Sequence, residues 1–154
     1  SSFFAFSQRL CDPLCFITCQ LLYSFPGSPT VFYGDEAGVQ GFEDPLNRGT
    51  YPWGREDPAL LAYFRQLGAL RKQRVSLQCG DIGYLYAVGG GLVLRRQSED
   101  EVTVAAMNAG MQPLELSIPW SGALAKDALT GQQFFARNGM LRLTLPPVGG
   151  VLLV

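Results

Sequence analysis

Two kinds of hydrophobic pattern divide the chain. Up to about residue 75 the apolar residues recur at helical spacing, and from about Ser76 apolar and polar residues alternate in short runs. Apolar residues at i, i+3 and i+4 line one face of a helix, whereas alternation is typical of a half-buried strand. The pattern therefore predicts two domains, residues 1–77 and 78–154, with the linker near residues 77–80.

The first helix is predicted from a local start signal. Asp12 can serve as N-cap with Pro13 in the first helical position, which indicates a helix over about residues 13–25. This helix is apolar nearly all round, so it is expected to be covered on more than one side. The run "TVFY", residues 30–33, then predicts a strand buried on both faces, as in a parallel sheet. A helix, a turn and a parallel-type strand indicate α/β architecture.

A second helix has the same kind of start signal. Asp57 is the predicted N-cap and Pro58 follows it. Its apolar stripe consists of Leu60, Tyr63, Phe64, Leu67 and Leu70. We expect the basic end of this helix, Arg71, Lys72 and Arg74, to interact favourably with the helix C-terminus.

Short alternating runs predict an antiparallel β-sandwich for the second domain. The runs are "YLYAV", "LVLRR", "VTVAAMN", "LELSI", "LRLTL" and "VLLV".

Composition and charge narrow the possible partners. Hydrophobic residues make up 47% of the chain and charged residues only 16%, below the roughly 25% usual for soluble proteins, so much of the surface is expected to be covered. The formal net charge is -1, without a basic run, which gives no reason to expect a nucleic acid or an anionic membrane as partner. The most apolar run, residues 13–25, is shorter than the roughly 20 residues of a bilayer span, so no membrane segment is predicted.

The four cysteines are predicted to be small buried hydrophobes. Cys11, Cys15 and Cys19 recur every fourth residue, and Cys79 stands alone. The chain has no His and no C-x2-C pair, so a zinc site and a redox role are the less favoured alternatives. Reduced thiols are typical of a cytoplasmic protein, and no metal or cofactor is predicted.

The long connection over residues 34–56 carries aromatic residues that favour an ordered, functional loop. Asp35 and Glu36 are adjacent, so they cannot flank one bond as the two carboxylates of a retaining glycosidase do. Asp44 and Arg48 are four residues apart and can converge on neighbouring hydroxyl groups, although the spacing alone favours a surface ion pair over this binding role. The chain has no other reaction centre, since it lacks His, a phosphate-binding loop and EF-hand spacing.

The segment "FPGSPTVFYGDEAGVQGFEDPLNRGTYPW", residues 25–53, resembles the eighth barrel strand and the following loop of the α-amylase family, glycoside hydrolase family 13. The usual form in that family is PGxPxIYYGDExGxxGxxDPxxRxxMPW. The chain is most similar to neopullulanases, cyclomaltodextrinases and maltogenic amylases, but Tyr51 stands where Met is usual and Gly49 where a second Arg is common. The runs "ALRKQR" and "DALTGQQF...LRLTLPPVGGVLLV" extend the resemblance to the C-terminal β-sandwich.

This resemblance implies both a fold and a reaction. Residues 1–77 would be an α/β fragment, the last helix, strand and helix of a (β/α)8 TIM barrel, and residues 78–154 an all-β antiparallel sandwich. The parent enzyme would be a retaining hydrolase of α-1,4 and α-1,6 glucosidic bonds in carbohydrate metabolism. Its catalytic carboxylates would lie upstream, so the chain would hold no catalytic residue and be inactive alone.

The resemblance also implies contacts with an α-glucan oligosaccharide. Asp44 and Arg48 fall on positions that contact sugar hydroxyls and position the ring. Tyr33 and Trp53 are candidates for stacking on sugar faces, with core packing as the alternative. A structural motif that braces the strand end is implied for Gly34, Asp35 and Glu36.

Two other functions stay open from the sequence. One is a stand-alone carbohydrate-binding or structural β-sandwich module, and the other is a glucan transferase of the same family. In a barrel fragment the apolar helix faces and strand edges lack neighbours, so we also expect a homo-oligomer formed through residues 1–75.

Overall fold

The computed structural model of the protein describes residues 2–39 and 49–154, with backbone alone for residues 2–12. Three α-helices come first, α1 (Ser2–Ser24), α2 (Pro58–Gln73) and α3 (Val75–Cys79), with a 3-10 helix at Asp35–Ala37 between α1 and α2. Strands follow at β1 (Asp81–Val88), β2 (Gly91–Gln97), β3 (Val102–Asn108), β4 (Leu114–Pro119), β5 (Leu124–Lys126), β6 (Gln133–Phe135), β7 (Met140–Leu145) and β8 (Gly149–Leu153). Within the described ranges, no helix has both the length and the hydropathy of a membrane span.

The strands form one four-stranded sheet and two ribbons. The sheet has the order β1-β2-β3-β8, and the ribbons are β4-β7 and β5-β6. Every pairing is antiparallel, as the alternating runs predicted. Each of the six runs lies in a strand, except that the last residue of "VLLV" follows β8, while β5 and β6 were not predicted. They contain only three residues each, which is too short for alternation to be visible.

Both faces of the four-stranded sheet are covered, and β3 shows how. Val104 and Ala106 pack in a core with side chains of the two ribbons. Ala105 and Met107, which point the other way, pack in a second core with α1 and α2. Residues 103–108 of this strand are all buried. The molecule is therefore layered as helices, central sheet and ribbons.

Helix α1 starts earlier than predicted. It spans Ser2–Ser24 with Pro13 inside it, so the assignment of Asp12 as N-cap and Pro13 as the first helical residue was wrong. A proline inside a helix loses one hydrogen bond to the carbonyl four residues earlier, at a cost of about 3 kcal/mol. The helix continues on both sides of that missing bond, and its end lies one residue from the predicted one.

Helix α2 confirms the second start signal. The Asp57 Oδ1 atom accepts hydrogen bonds from the backbone N–H groups of Ala59, at 2.9 Å, and Leu60, at 3.0 Å, and Pro58 is the first helical residue. Leu60, Phe64 and Leu67 of the predicted stripe are buried against α1 and the sheet.

Two basic residues at the end of α2 bond to other elements. Arg71 Nη1 donates to the carbonyls of Tyr23, at 2.6 Å, and Phe25, at 3.1 Å, and Nη2 donates to that of Gly27. Arg74 Nη2 donates to the Val102 carbonyl at 2.7 Å. Arg71 and Lys72 lie in the last turn of α2, where their charges were expected. The hydrogen bonds of Arg71 also hold the C-terminus of α1.

Residues 30–33 do not form the predicted strand. Residues 28–32 have no regular secondary structure and residue 33 lies in a turn. Phe32 and Tyr33 are exposed, whereas a strand in a parallel sheet is buried on both faces. A strand forms only beside a partner, and every described strand pairs within the antiparallel sheet or ribbons.

The predicted linker coincides with helix α3, where Ser76 and Leu77 are buried. The division into domains at residue 77 stays a prediction.

Of the cysteines, Cys19 is buried, as predicted, and burial raises the pKa of its thiol to about 12. Cys15 and Cys79 are exposed, which corrects the prediction for both. Cys15 lies one helical turn before Cys19 on α1, and Cys79 is the last residue of the short helix α3.

Candidate functional site

The candidate site begins with a tight turn at Gly34. This residue has φ of 81°, and a Cβ atom there would lie 2.6 Å from Val39 Cγ2, so the turn requires glycine. The Asp35 carboxylate closes the turn, because its Oδ2 atom accepts a hydrogen bond from the Phe32 backbone N–H at 3.2 Å. Asp35 thus bonds within its own turn.

The 3-10 helix is anchored to the start of α2. Ala37 is buried, and its carbonyl accepts the Asp57 backbone N–H at 3.1 Å. The same Asp57 caps α2 through its side chain. The predicted structural motif, Gly34, Asp35 and Glu36, therefore lies in a turn that is fixed at both ends, and the segment before it presents Tyr33 at the surface.

Three aromatic side chains form what we call the aromatic row, Tyr33, Tyr51 and Trp53. The ring centroids of Tyr33 and Tyr51 are 6.2 Å apart with an interplanar angle of 67°. Those of Tyr51 and Trp53 are 4.6 Å apart at 50°. Tyr33 is 54% exposed and Trp53 is 81% exposed, while Tyr51 is half-buried between them. The structure thus brings the two predicted aromatic residues to one surface.

Backbone hydrogen bonds fix the part of the chain that carries Tyr51 and Trp53. The Trp53 N–H donates to the Tyr51 carbonyl at 2.9 Å, and the Arg55 N–H donates to the Pro52 carbonyl at 2.8 Å. These turns place the rings of Tyr51 and Trp53 side by side although only one residue separates them in sequence.

Burial and the nearby carboxylates favour a protonated Tyr51 by raising its pKa. Partial burial raises the pKa of the Tyr51 hydroxyl, and the carboxylates of Glu36 and Glu56 raise it further, while Arg65 acts in the opposite direction. The hydroxyl therefore stays a hydrogen-bond donor at neutral pH. The row presents aromatic faces and phenolic donors together, which are the groups that recognise a ligand with apolar faces and polar edges.

The other predicted substrate-binding residues, Asp44 and Arg48, lie outside the described residues. Core packing, the alternative for Tyr33 and Trp53, does not occur in this structure because both side chains are exposed. Sequence reasoning missed Tyr51 as a member of the site. The available signal was the aromatic pair separated by one residue in "TYPW".

An apolar cleft lies beside the turn, between α1 and α2. It has a volume of about 440 Å³, and Asp35 and Asp57 lie at its polar edge. Among the side chains that the structure describes, those of residues 13–39 and 49–154, no three Cys, Asp or Glu groups are placed so that they could hold a metal ion.

No model of a known protein family matches the chain. The amylopullulanase of Thermoanaerobacterium saccharolyticum is 28% identical to it over 96% of the chain and 13% of the enzyme. The cyclomaltodextrinase of Geobacillus thermopakistaniensis is 34% identical over 84% of the chain and 23% of the enzyme. The chain therefore spans less than a quarter of the length of these two relatives.

A solved structure agrees with these similarities. The α-amylase from Geobacillus thermoleovorans, complexed with acarbose, superimposes with a TM-score of 0.82 at 27% identity. The match covers 92% of the chain and 33% of that structure.

Proposed function

Because the chain belongs to the α-amylase family, glycoside hydrolase family 13, we propose that it is the C-terminal portion of a neopullulanase-like α-glucan hydrolase. The parent enzyme hydrolyses α-1,4 and α-1,6 glucosidic bonds with retention of configuration. The likeness to an amylopullulanase and a cyclomaltodextrinase supports this substrate class.

The catalytic carboxylates of the parent lie upstream of this chain. Retaining hydrolysis needs two carboxyl groups about 5 to 5.5 Å apart on either side of the scissile bond. Asp35 bonds to the backbone of its own turn, and Glu36 is its immediate neighbour in sequence, so this pair does not provide that arrangement. The chain alone does not hydrolyse glucans.

The role of the chain in the parent is to bind and position glucan at the rim of the active site. The observation that carries this proposal is the aromatic row, in which two rings more than half exposed are joined by a third. A glucose ring has an apolar C–H face that packs on an aromatic face and hydroxyl groups at its edge. Tyr33 and Trp53 therefore stack on successive sugar rings.

Asp44 and Arg48 complete the rim in this proposal. A guanidinium offers paired N–H donors and a carboxylate offers paired acceptors, so the two together can bind adjacent sugar hydroxyls and fix the orientation of the ring. Stacking then supplies contact area, and the charged pair supplies orientation.

The helical part belongs to the catalytic barrel of the parent. In this proposal α1, residues 30–33 and α2 are the last helix, strand and helix of the barrel. Residues 30–33 gain a parallel neighbour there, and residues 78–154 form the C-terminal sandwich. The turn at Gly34, which the Asp35 carboxylate closes, supports this proposal because it aims the chain sharply away from the end of that strand.

The binding role is tested with Trp53→Ala and maltoheptaose. One lost aromatic contact is worth about 0.5 to 1.5 kcal/mol, so titration calorimetry should show an affinity about 2- to 13-fold weaker than that of the unchanged chain. Phe32→Ala is the matched control, since Phe32 is an exposed aromatic residue next to the row but outside it.

Two results contradict the proposal. Equal affinities for Trp53→Ala, Phe32→Ala and the unchanged chain would remove the binding role of the row. Release of reducing sugar from maltotriose or pullulan by the repurified chain would show that it carries its own catalytic groups.

A further inference from the structure

A second exposed aromatic surface lies on the β5-β6 ribbon. Leu124 of β5 and Phe135 of β6 are direct partners across the ribbon, and their side chains share its outer face. Phe135 is 71% exposed and Leu124 is also exposed. The next residues of the two strands, Ala125 and Phe134, point inward to the sandwich core. The ribbon therefore presents an apolar pair outward while its other face anchors it.

Trp120 borders this pair. Its indole Nε1 donates to the Leu124 carbonyl at 3.1 Å, and its backbone N–H donates to the Gly139 carbonyl at 2.9 Å. The half-buried indole is thus held at the edge of β5. The ring packs partly against the sandwich core, and its indole N–H is already used, so the uncovered part of the ring is what Trp120 offers to a ligand. Leu124, Phe135 and Trp120 make a short apolar platform.

Two polar side chains lie next to the apolar pair on the outer face of the ribbon. Lys126 and Gln133 are direct partners across the ribbon, two residues away from the apolar pair and therefore on the same side. Both are exposed. The lysine has three N–H donors, and the glutamine amide has two donors and an acceptor. An apolar platform with hydrogen-bonding groups at one end matches a sugar ring and the hydroxyls of its neighbour.

The size of the platform argues against a protein partner. A whole Phe side chain covers about 150 to 250 Å², so Phe135 and its neighbours offer a few hundred Å² at most. A specific protein interface buries at least about 1,000 Å² in total. One or two sugar rings fit the available area.

We propose that the β5-β6 ribbon is a second glucan-binding site, separate from the rim. One glucose ring of a linear α-glucan packs on Phe135 beside Trp120, and the hydroxyls of the next ring bond to Lys126 and Gln133. The choice of an α-glucan as the sugar rests on the proposed function. Such a site holds the polymer away from the point of cleavage and raises its local concentration.

The test uses the fact that the chain has two tryptophans, Trp53 and Trp120. Trp53→Phe leaves Trp120 as the only indole, and maltoheptaose is titrated into this variant while the emission of Trp120 is recorded. We expect a saturable change in intensity or wavelength. Adding Phe135→Ala should weaken the apparent affinity about 2- to 13-fold, and Phe135→Tyr should restore it because the ring is kept.

Tyr84→Ala is the matched control, since Tyr84 is a 59% exposed aromatic residue on β1, away from the ribbon. This variant should bind as the Trp53→Phe background does. The double change Lys126→Ala and Gln133→Ala, at two exposed positions, tests the polar half of the site and should also lower the affinity.

The outcomes separate this proposal from the one for the rim. No saturable response in the Trp53→Phe background, or equal losses for Phe135→Ala and Tyr84→Ala, would overturn the ribbon site. A loss at Phe135 together with unchanged binding for Trp53→Ala would instead support the ribbon site and remove the role of the aromatic row.

Discussion

Replacing Arg96 with Met should destabilise the fold strongly, because its guanidinium bonds to two backbone carbonyls inside the molecule. Arg96 is 1% exposed. Its Nη1 atom donates to the Ser24 carbonyl at 2.9 Å, and its Nε and Nη2 atoms donate to the Gly80 carbonyl at 3.2 and 2.8 Å. From β2 it therefore ties the end of α1 to the end of α3.

The magnitude follows from what the substitution leaves behind. Two carbonyls lose their donor, and a buried polar group without a partner costs about 1 to 3 kcal/mol. Removing the buried charge recovers part of this free energy, because an ionised group is costly to bury. Burial, followed by the nearby Arg71, lowers the pKa of Arg96, which means that the charged form is disfavoured at this place. We expect Arg96→Met to lower the free energy of unfolding by about 2 to 4 kcal/mol and the melting temperature by about 5 to 15 °C.

Equilibrium unfolding in urea measures this loss. The control is Arg95→Met, because Arg95 is the next residue of the same strand and its side chain is exposed. An exposed substitution usually changes stability by no more than about 0.5 kcal/mol. If the two variants lose the same amount, water satisfies the carbonyls of Ser24 and Gly80 and the reasoning fails.

Two further substitutions test local features. Asp57→Ala removes the acceptor for the N–H groups of Ala59 and Leu60 and should cost about 0.5 to 2 kcal/mol in urea unfolding; Asp57→Ser keeps an acceptor, and an equal loss for both would mean that the cap is not responsible. Burial raises the pKa of Cys19 from 9.0 to about 12, so its neutral thiol adds stability that is complete below pH 9 and is lost as the pH rises towards about 12. Cys19→Ala should flatten the pH dependence of the unfolding free energy in that window, and an unchanged slope would argue against this cause.

Local signals predicted the fold where the stabilising contacts were themselves local. The cap of α2 uses atoms within three residues of Asp57, so the sequence was enough to place it. Asp12 and Pro13 show the same pattern, yet α1 runs through them. A start signal cannot report whether the residues before it are also helical. The short run over residues 30–33 failed for a similar reason, because a strand depends on a partner that sequence alone does not identify.

The candidate site could be predicted in part. Tyr33 and Trp53 were recognisable from the motif around them, but their contact with Tyr51 depends on turns at both ends of a long connection. The partners of Arg71 lie more than 40 residues away in sequence. The pair Tyr51 and Trp53 is visible in "TYPW", but the approach of Tyr33 to Tyr51 and the partners of Arg71 follow no period or spacing, so they could not be predicted from the sequence.

The central sheet makes the helices and the strands depend on each other. Since alternate residues of β3 belong to two different cores, loosening either core uncovers one side of the same strand. Unfolding is then expected to be cooperative across the chain. Truncating the protein near Gly80 would expose the sheet face that packs against α1 and α2, which carries Leu94, Ala105, Met107 and Leu152. An exposed apolar sheet face of that kind is prone to aggregate. The junction between the helices and the strands is therefore a poor place to truncate this protein.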